Sequence, residues 1–414
     1  MNAPIRHNQL KPNLARPHSL TMLLRLLKRL RHGALLVRLP DGKVQHISGS
    51  RPGTQAELHI HDARFAKLVM RRAEVGLGEA YRDGWFTTPD LTKLLLLAIE
   101  NQAALKDLFY ANRLVTSIMR VSHWLRANTR RGSRKNIAAH YDLSNDFYGR
   151  WLDSTMTYSA ALFAGNSNRT LSAAQEEKYQ RIVDTLEIGP DHHVLEVGCG
   201  WGGFAEYVAT KTGARVTAVT ISPAQFDYAQ RRISAAGLSD RVNITLCDYR
   251  DLTGDFDRIV SIEMFEAVGE RFWPTFFSTL RSRLRPTGRA IIQTITIADE
   301  LFAEYRSRVD FIQRYIFPGG MLPSVARFRQ EVERRGLSVI GQFGFGGDYA
   351  ETLRRWRLRF SQQAAELETL GFPPSFQRLW QFYFCYCEAG FATTRTDVVQ
   401  FVLSHEGAQH GSWR

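Results

Sequence analysis

The stretch Val194-Leu195-Glu196-Val197-Gly198-Cys199-Gly200-Trp201-Gly202-Gly203-Phe204 restricts the fold more than any other part of the chain. An apolar run closes on an acid, enters a glycine-rich turn and continues into the helical pattern of residues 204–209. Glycines let backbone approach a ligand, and the start of a helix offers unpaired N–H groups. A strand that feeds such a turn and helix suits an α/β sheet with a nucleotide-like ligand at the strand's end. A tight turn in any α/β protein would look the same, so the flanking sequence decides.

Strand patterns recur at 194–197, 215–219, 242–246, 257–262 and 289–295, with helical patterns between them. This alternation predicts a mostly parallel sheet with helices on both faces, a Rossmann-like α/β domain over 136–414. Helices are expected at 136–152, at 171–186 with Ser172 near its start, and at 299–313. After the turn Phe317-Pro318-Gly319-Gly320 come a helix over 324–335, a strand over 338–343 and long helices to the C-terminus.

A small α+β domain is expected over 33–100, with strands at 34–39, 43–47 and 56–61 and helices at 65–75 and 90–101. Pro40-Asp41-Gly42 is the turn between the first two strands. His59 and His61 share one face of the third and, with no Cys or carboxylate cluster nearby, read as surface residues. Residues 101–135 form a basic helical linker. The segment 1–32 is a basic lead-in, disordered up to residue 18, and then an amphipathic helix over 20–31 capped by Ser19. Its Leu20, Leu23, Leu24, Leu27 and Leu30 share one face. That face either enters a membrane interface or packs on its own domain.

The 414 residues carry a formal net charge of +13. Such a surplus favours an anionic partner: nucleic acid, an acidic membrane or a phosphorylated substrate. Cys199, Cys247, Cys385 and Cys387 have neither zinc spacing nor disulfide density, which fits a reducing cytoplasm and no metal. No apolar run nears the ~18–20 residues that span a bilayer.

Gly198, Gly200 and Gly203 have the spacing of a nicotinamide turn, but the next strand ends in Thr220-Ile221-Ser222 where such sites need an acid. The acid stands before the glycines, at Glu196. That is the texture of a site for S-adenosylmethionine, which carries a sulfonium and an amino-acid end and no pyrophosphate. Asp248 can take the adenine amino group and Tyr249 can pack on the ring.

Further motifs stand in order around this loop. They are His140-Tyr141-Asp142-Leu143-Ser144-Asn145-Asp146, Thr157-Tyr158-Ser159, Val219-Thr220-Ile221-Ser222-x-x-Gln225, Met264-Phe265-Glu266-x-Val268-Gly269 and Tyr315-Ile316-Phe317-Pro318-Gly319-Gly320-x-Leu322-Pro323-Ser324. Together they resemble the cyclopropane-fatty-acyl-phospholipid synthases, relatives of the mycolic acid cyclopropane synthases, over about residues 33–405. The resemblance implies methyl transfer from S-adenosylmethionine to a cis double bond in a phospholipid acyl chain, proton loss to a bound bicarbonate, and ring closure. It implies donor contacts at Tyr158, Ser159, Gly198, Gly200, Thr220, Ile221, Gln225 and Tyr249. Bicarbonate would meet Glu266, Tyr315 and the backbone of Ile295. Cys387 matches a cysteine once proposed as a nucleophile; an alkene needs none, so it reads as a small buried apolar residue. A carbocation needs a dry, aromatic site. Phe147, Tyr148, Tyr158, Phe272, Trp273, Phe276, Phe277, Phe311, Tyr315, Phe317, Phe382 and Tyr383 are candidates, each also a natural core residue.

The chain departs from the family at Ala160, where Cys is usual, and at Ala267 and Gln293, where His is usual. Gln293 can hydrogen-bond but cannot carry charge. Glu263 is an additional acid, and either it or Glu266 could take the proton. Cyclopropane formation is the leading expectation. The alternative is methylene or methyl branching without a ring, the methyl form needing a reductase partner. A non-catalytic lipid-binding protein is a further reading. A nucleic-acid methyltransferase is disfavoured because the chain has no Asn/Asp-Pro-Pro-Tyr and no Pro-Cys. The expected setting is the cytoplasmic face of an anionic membrane, peripherally bound, with apolar faces such as 94–98 suited to a homodimer.

Overall fold

A computed structural model describes residues 18–105 and 143–408. The chain divides into two compact units, Met1–Asn112 and Arg113–Arg414. The expected lead-in over 1–17, nearly all of the linker and the motif start His140-Tyr141-Asp142 lie outside the described residues.

In the first unit Ser19 lies within α1 (His18–Leu27) and is therefore not its cap. β1 (His32–Arg38), β2 (Val44–Ser48) and β3 (Arg51–Ile60) precede α2 (Arg64–Arg82), β4 (Phe86–Thr87) and α3 (Leu91–Glu100). The sheet order is β2-β1-β3-β4, with β1 and β3 parallel and the other pairs antiparallel. The turn at Asp41-Gly42 closes through Gly42 N–H to Leu39 O. Leu20, Leu23, Leu24 and Leu27 are buried, and α1 packs on α2. The leucine face is thus core, not a free membrane anchor. Leu94, Leu95 and Leu97 are buried in the same unit, so that run too offers little to a second subunit. His59 bonds Glu57 and His61 bonds Thr87.

The second unit runs α4 (Asn145–Gly149), α5 (Leu171–Leu186), β5 (His193–Val197), α6 (Gly203–Thr212), β6 (Arg215–Thr220), α7 (Pro223–Ala235), β7 (Val242–Leu246) and β8 (Phe256–Ile262). Then come α8 (Trp273–Arg283), β9 (Leu284–Ile297), α9 (Asp299–Arg306), α10 (Phe311–Tyr315), α11 (Val325–Glu333) and β10 (Leu337–Gly344). Finally α12 (Gly346–Gln362), α13 (Ala364–Thr369), α14 (Pro374–Ala392) and β11 (Thr396–His405) close the unit. Ser172 stands near the start of α5 as expected, and Thr170 caps the helix, its side chain accepting from Ala173 N–H. The expected helix over 299–313 is two helices, because Asp310 starts a new one with a capping box to Gln313.

The sheet order is β10-β11-β9-β8-β5-β6-β7. β5, β6, β7, β8 and β9 run parallel, while β11 is antiparallel to β9 and β10. β11 corrects the expectation of helices to the C-terminus. Its Val398-Val399-x-Phe401-Val402-Leu403 run is buried on both faces, so it lacks the alternation that marks an edge strand. Strand residues divide between two cores: Val194 and Ile291 join one, and Leu195 and Ile292 the other. β5 is where strand order reverses, since β6 and β8 flank it. Ligands of open α/β sheets bind beyond the strand ends at such a point.

Candidate active site

The glycine loop leaves β5 at this reversal. The N–H groups of Gly198 and Cys199 both donate to Val219 O at 2.9 Å, which ties the loop to the end of β6. Gly198 has φ +89°, and a Cβ there would strike Met264 at 2.7 Å. Gly200 has φ +52°, and its missing side chain faces open space. Both glycines are therefore required by backbone conformation, the first by close packing as well.

Every residue expected to face the cofactor lines one cavity: Tyr158, Ser159, Glu196, Gly198, Gly200, Thr220, Ile221, Gln225, Asp248 and Tyr249. Thr220 donates to Gln225 Oε1 at 2.9 Å, and Ser222 caps α7 by accepting from Gln225 N–H. Asp248 is held at two points by Arg250, at 2.8 and 2.6 Å, a partner the sequence did not suggest. The Tyr249 hydroxyl and Glu196 Oε2 are buried without a hydrogen-bond partner. Burial pushes the Glu196 carboxyl up to about 8, against the pull of Lys178. Unpaired buried polar atoms are costly and call for a ligand's polar groups.

A second cluster adjoins the cavity at the ends of β8 and β9. Glu263 has φ +50°, a left-handed conformation that a side chain adopts at a cost. Its Oε1 accepts from Ala160 N–H and from Gln293 Nε2, both at 2.8 Å. Its Oε2 accepts from the Tyr349 hydroxyl at 2.6 Å. Gln400 Nε2 donates to Gln293 Oε1 at 3.1 Å, which fixes the amide's orientation. Glu266 Oε1 accepts from Ile295 N–H at 2.6 Å, while its Oε2 is buried and unpartnered. Burial raises both carboxyls, and the Glu263 charge raises Glu266 further. Two carboxyls so placed hold one charge more readily than two. Glu263, with three donors, is the one that keeps it.

The departures from the family pattern therefore converge. Ala160 brings no side chain to this point and meets Glu263 through its backbone N–H, while Gln293 supplies a neutral side-chain donor. Ala267 lines the cavity nearby. The Ile295 N–H, expected to face bicarbonate, is taken by Glu266. Tyr315 lies outside the cavity lining and packs on Phe311 at 5.6 Å; the tyrosine at the carboxylate is Tyr349. Cys387 also lies outside the lining, and burial pushes its thiol far above the ordinary range. It holds no thiolate for attack. Of the candidate aromatics, Phe147, Tyr148, Trp273, Phe276, Phe277, Phe311 and Phe382 are fully buried core. Tyr158 faces the cavity, its hydroxyl 2.9 Å from that of Tyr383, with Phe317 and Trp356 around its ring.

Residues the sequence reading missed stand behind this wall. Lys178 is 0% exposed on α5. Its Nζ donates to Ser159 Oγ at 2.6 Å and to Gln175 Oε1 at 2.7 Å. Helical spacing was a usable signal, since Ala174, Lys178 and Ile182 form one buried stripe. Tyr349 and Gln400 carry no such signal: only the packing of α12 and β11 brings them in. Among the described residues, no cluster of His, Cys, Asp and Glu is built to hold a metal ion.

A parallel sheet closed by one antiparallel strand, with a glycine loop at its reversal and this cavity, defines an S-adenosylmethionine-dependent methyltransferase. Residues 128–401 match mycolic acid cyclopropane synthetase, and the chain belongs to that family, whose enzymes act on lipid acyl chains. Tuberculostearic acid methyltransferase UfaA1 of Mycobacterium tuberculosis is 39% identical over 84% of this chain and 83% of its own. The cyclopropane-fatty-acyl-phospholipid synthase of Escherichia coli K12 is 35% identical over 88% and 91%. Among solved structures, mycolic acid cyclopropane synthase CmaA1 complexed with SAH and CTAB superposes with TM-score 0.61 at 30% identity. That match covers 65% of this chain and 97% of the other.

Proposed function

We propose that this enzyme methylates the cis double bond of an unsaturated phospholipid acyl chain and resolves the cation without closing a ring, giving a methylene branch. The observation that carries this reading is the Glu263 carboxylate, held by Ala160, Gln293 and Tyr349 where the resemblance implies bicarbonate. The donors that would hold such an anion are engaged, so bicarbonate does not fit and has no part in this route.

S-adenosylmethionine does fit, given the open space at Gly200 and the unpaired atoms of Glu196 and Tyr249; when bound it supplies the methyl group. The alkene is a poor nucleophile, so Tyr158 and the cavity wall must hold it in line with that group. Methyl addition leaves a cation on the neighbouring acyl carbon. The Glu263 charge stabilises it at close range in a dry site. Burial raises the Glu263 carboxyl, but its hydrogen bonds oppose that rise and engage both of its oxygens, which delays proton removal. The cation then outlives a hydride shift, which moves the charge onto the methyl-bearing carbon. Loss of a methyl proton to Glu263 Oε2 forms a C=CH₂ branch on the open acyl chain. Glu266, neutral and paired with Ile295 N–H, keeps the second charge away. A saturated methyl branch would need two further electrons from a separate reductase.

The phospholipid setting is supported by the net charge of +13 and by the likeness to a cyclopropane-fatty-acyl-phospholipid synthase. Ring closure is the second reading, favoured by the identity to the Escherichia coli synthase. Both products add the same CH₂ to the acyl chain, so mass alone does not separate them. Expression in a host without such enzymes, followed by proton NMR of the lipids, does. Vinylidene protons are expected; cyclopropane protons in their place would overturn the proposal, and unmodified lipid would overturn the choice of a phospholipid acyl chain as the acceptor.

A further inference from the structure

An ammonium group with no exposed surface is costly to bury. Lys178 stands on a stripe otherwise filled by Ala174, Tyr179 and Ile182, where an apolar side chain would pack without that cost. Its position has a second oddity. It grips a single cavity residue from behind, together with its neighbour one turn earlier. Gln175, also fully buried, donates from Nε2 to the Ser159 carbonyl at 2.9 Å. Lys178 donates to the same residue's Oγ and to Gln175 Oε1. Ser159 is thus held by both its backbone and its side chain, while it lines the cavity.

The polarity of this contact has a consequence. In its ammonium form Lys178 only donates, so Ser159 Oγ then accepts from it. The Ser159 proton is then directed elsewhere. We infer that Lys178 is a positioning residue of the donor site: it turns the Ser159 O–H toward the cavity as a hydrogen-bond donor for the carboxylate of S-adenosylmethionine. The inference rests on the proposed donor site. Charge supports the assignment of the anionic end. The Lys178 ammonium lies behind Ser159, and the unpaired Glu196 oxygen is available to the cationic end of the same ligand. Burial lowers the Lys178 ammonium to about 7, while Glu263, Asp153 and Glu196 pull the other way; Gln175 Oε1, which can only accept, takes a hydrogen bond from it. No covalent step is involved.

The test is calorimetric titration of the full chain with S-adenosylhomocysteine, which keeps the same carboxylate and needs no turnover. Lys178→Met and Ser159→Ala are each expected to weaken binding by about 10- to 100-fold, the range for a hydrogen bond to a charged group. The double variant is expected to be no weaker than Lys178→Met, because both changes remove one interaction. The KM for the donor should rise while that for the lipid stays. Additive losses, or wild-type affinity in Lys178→Met, would overturn the inference. Should Lys178→Met fail to fold, Ser159→Ala decides alone, and unchanged affinity there overturns it. A wild-type chain that does not bind S-adenosylhomocysteine would instead sink the donor site on which the inference stands.

Discussion

Glu263 is the residue on which the chemistry turns, and its backbone shows the strain of putting it there. Replacing it separates its two properties. Glu263→Gln keeps the shape but loses the charge; turnover should fall by at least about 10²-fold, the usual range for a lost general base. S-adenosylhomocysteine affinity should survive. Glu263→Gly relieves the left-handed φ and frees the three donors. Added bicarbonate should then restore turnover and shift the product toward a ring, as NMR of the lipids would report. Unaltered product and rate in both variants would remove Glu263 from the reacting centre. Glu196 makes a separate prediction about pH. Its carboxyl titrates at 4.5 when free and at about 8 in the fold. The folded state therefore holds the proton more tightly, and its advantage is lost as pH rises from 4.5 toward 8. Lys178, lowered to about 7 from 10.5, acts with the opposite sign but only above pH 7. Glu266, raised to about 8, acts in the same sense, so the melting temperature of the ligand-free protein should fall between pH 4.5 and 7, and Glu196→Gln should lessen that slope. A slope unchanged by the substitution would place the proton elsewhere. The glycine loop, Glu196 and the hydroxyl end of β6 were legible in sequence because one short segment carries each. The partners of Glu263 come from segments near 160, 293 and 349, and nothing in their local patterns joins them.

At the scale of elements, β11 was the unreadable part of the fold and is also a support of the site. It pairs with β9 in a register that sets Gln400 opposite Gln293. A buried amide on a central strand is expensive unless it is bonded, and here it anchors the amide that holds Glu263. Gln400→Leu should leave the sheet intact but release Gln293, lowering kcat by about 10-fold through loosened geometry. Melting curves and steady-state rates on one preparation would check this; a rate equal to wild type would mean that Gln293 is oriented without β11. α1 teaches the converse lesson. Its leucine periodicity correctly marked a helix with one apolar face, but periodicity does not say what covers that face. The answer was α2, and only the folded unit could supply it.

At the scale of the whole molecule, the charge of +13 is the property left to explain once α1 is assigned to a core. If it serves a membrane substrate, the protein should co-sediment with anionic vesicles and not with zwitterionic ones. Binding should weaken as salt shortens the range of the attraction to about 10 Å at 0.1 M. Equal binding to both vesicle types would make the charge a solvated surface only.

By itself, the sequence determined the alternating α/β domain, the loop at residues 198–203 and the class of donor, because each depends on contiguous residues whose spacing encodes a strand, a turn or a helix start. Only the tertiary structure decided that Ala160, Gln293 and Tyr349 meet on Glu263, and that a lysine stands behind Ser159. Those contacts join distant segments through packing and strand register, and a buried group's charge depends on what surrounds it in space.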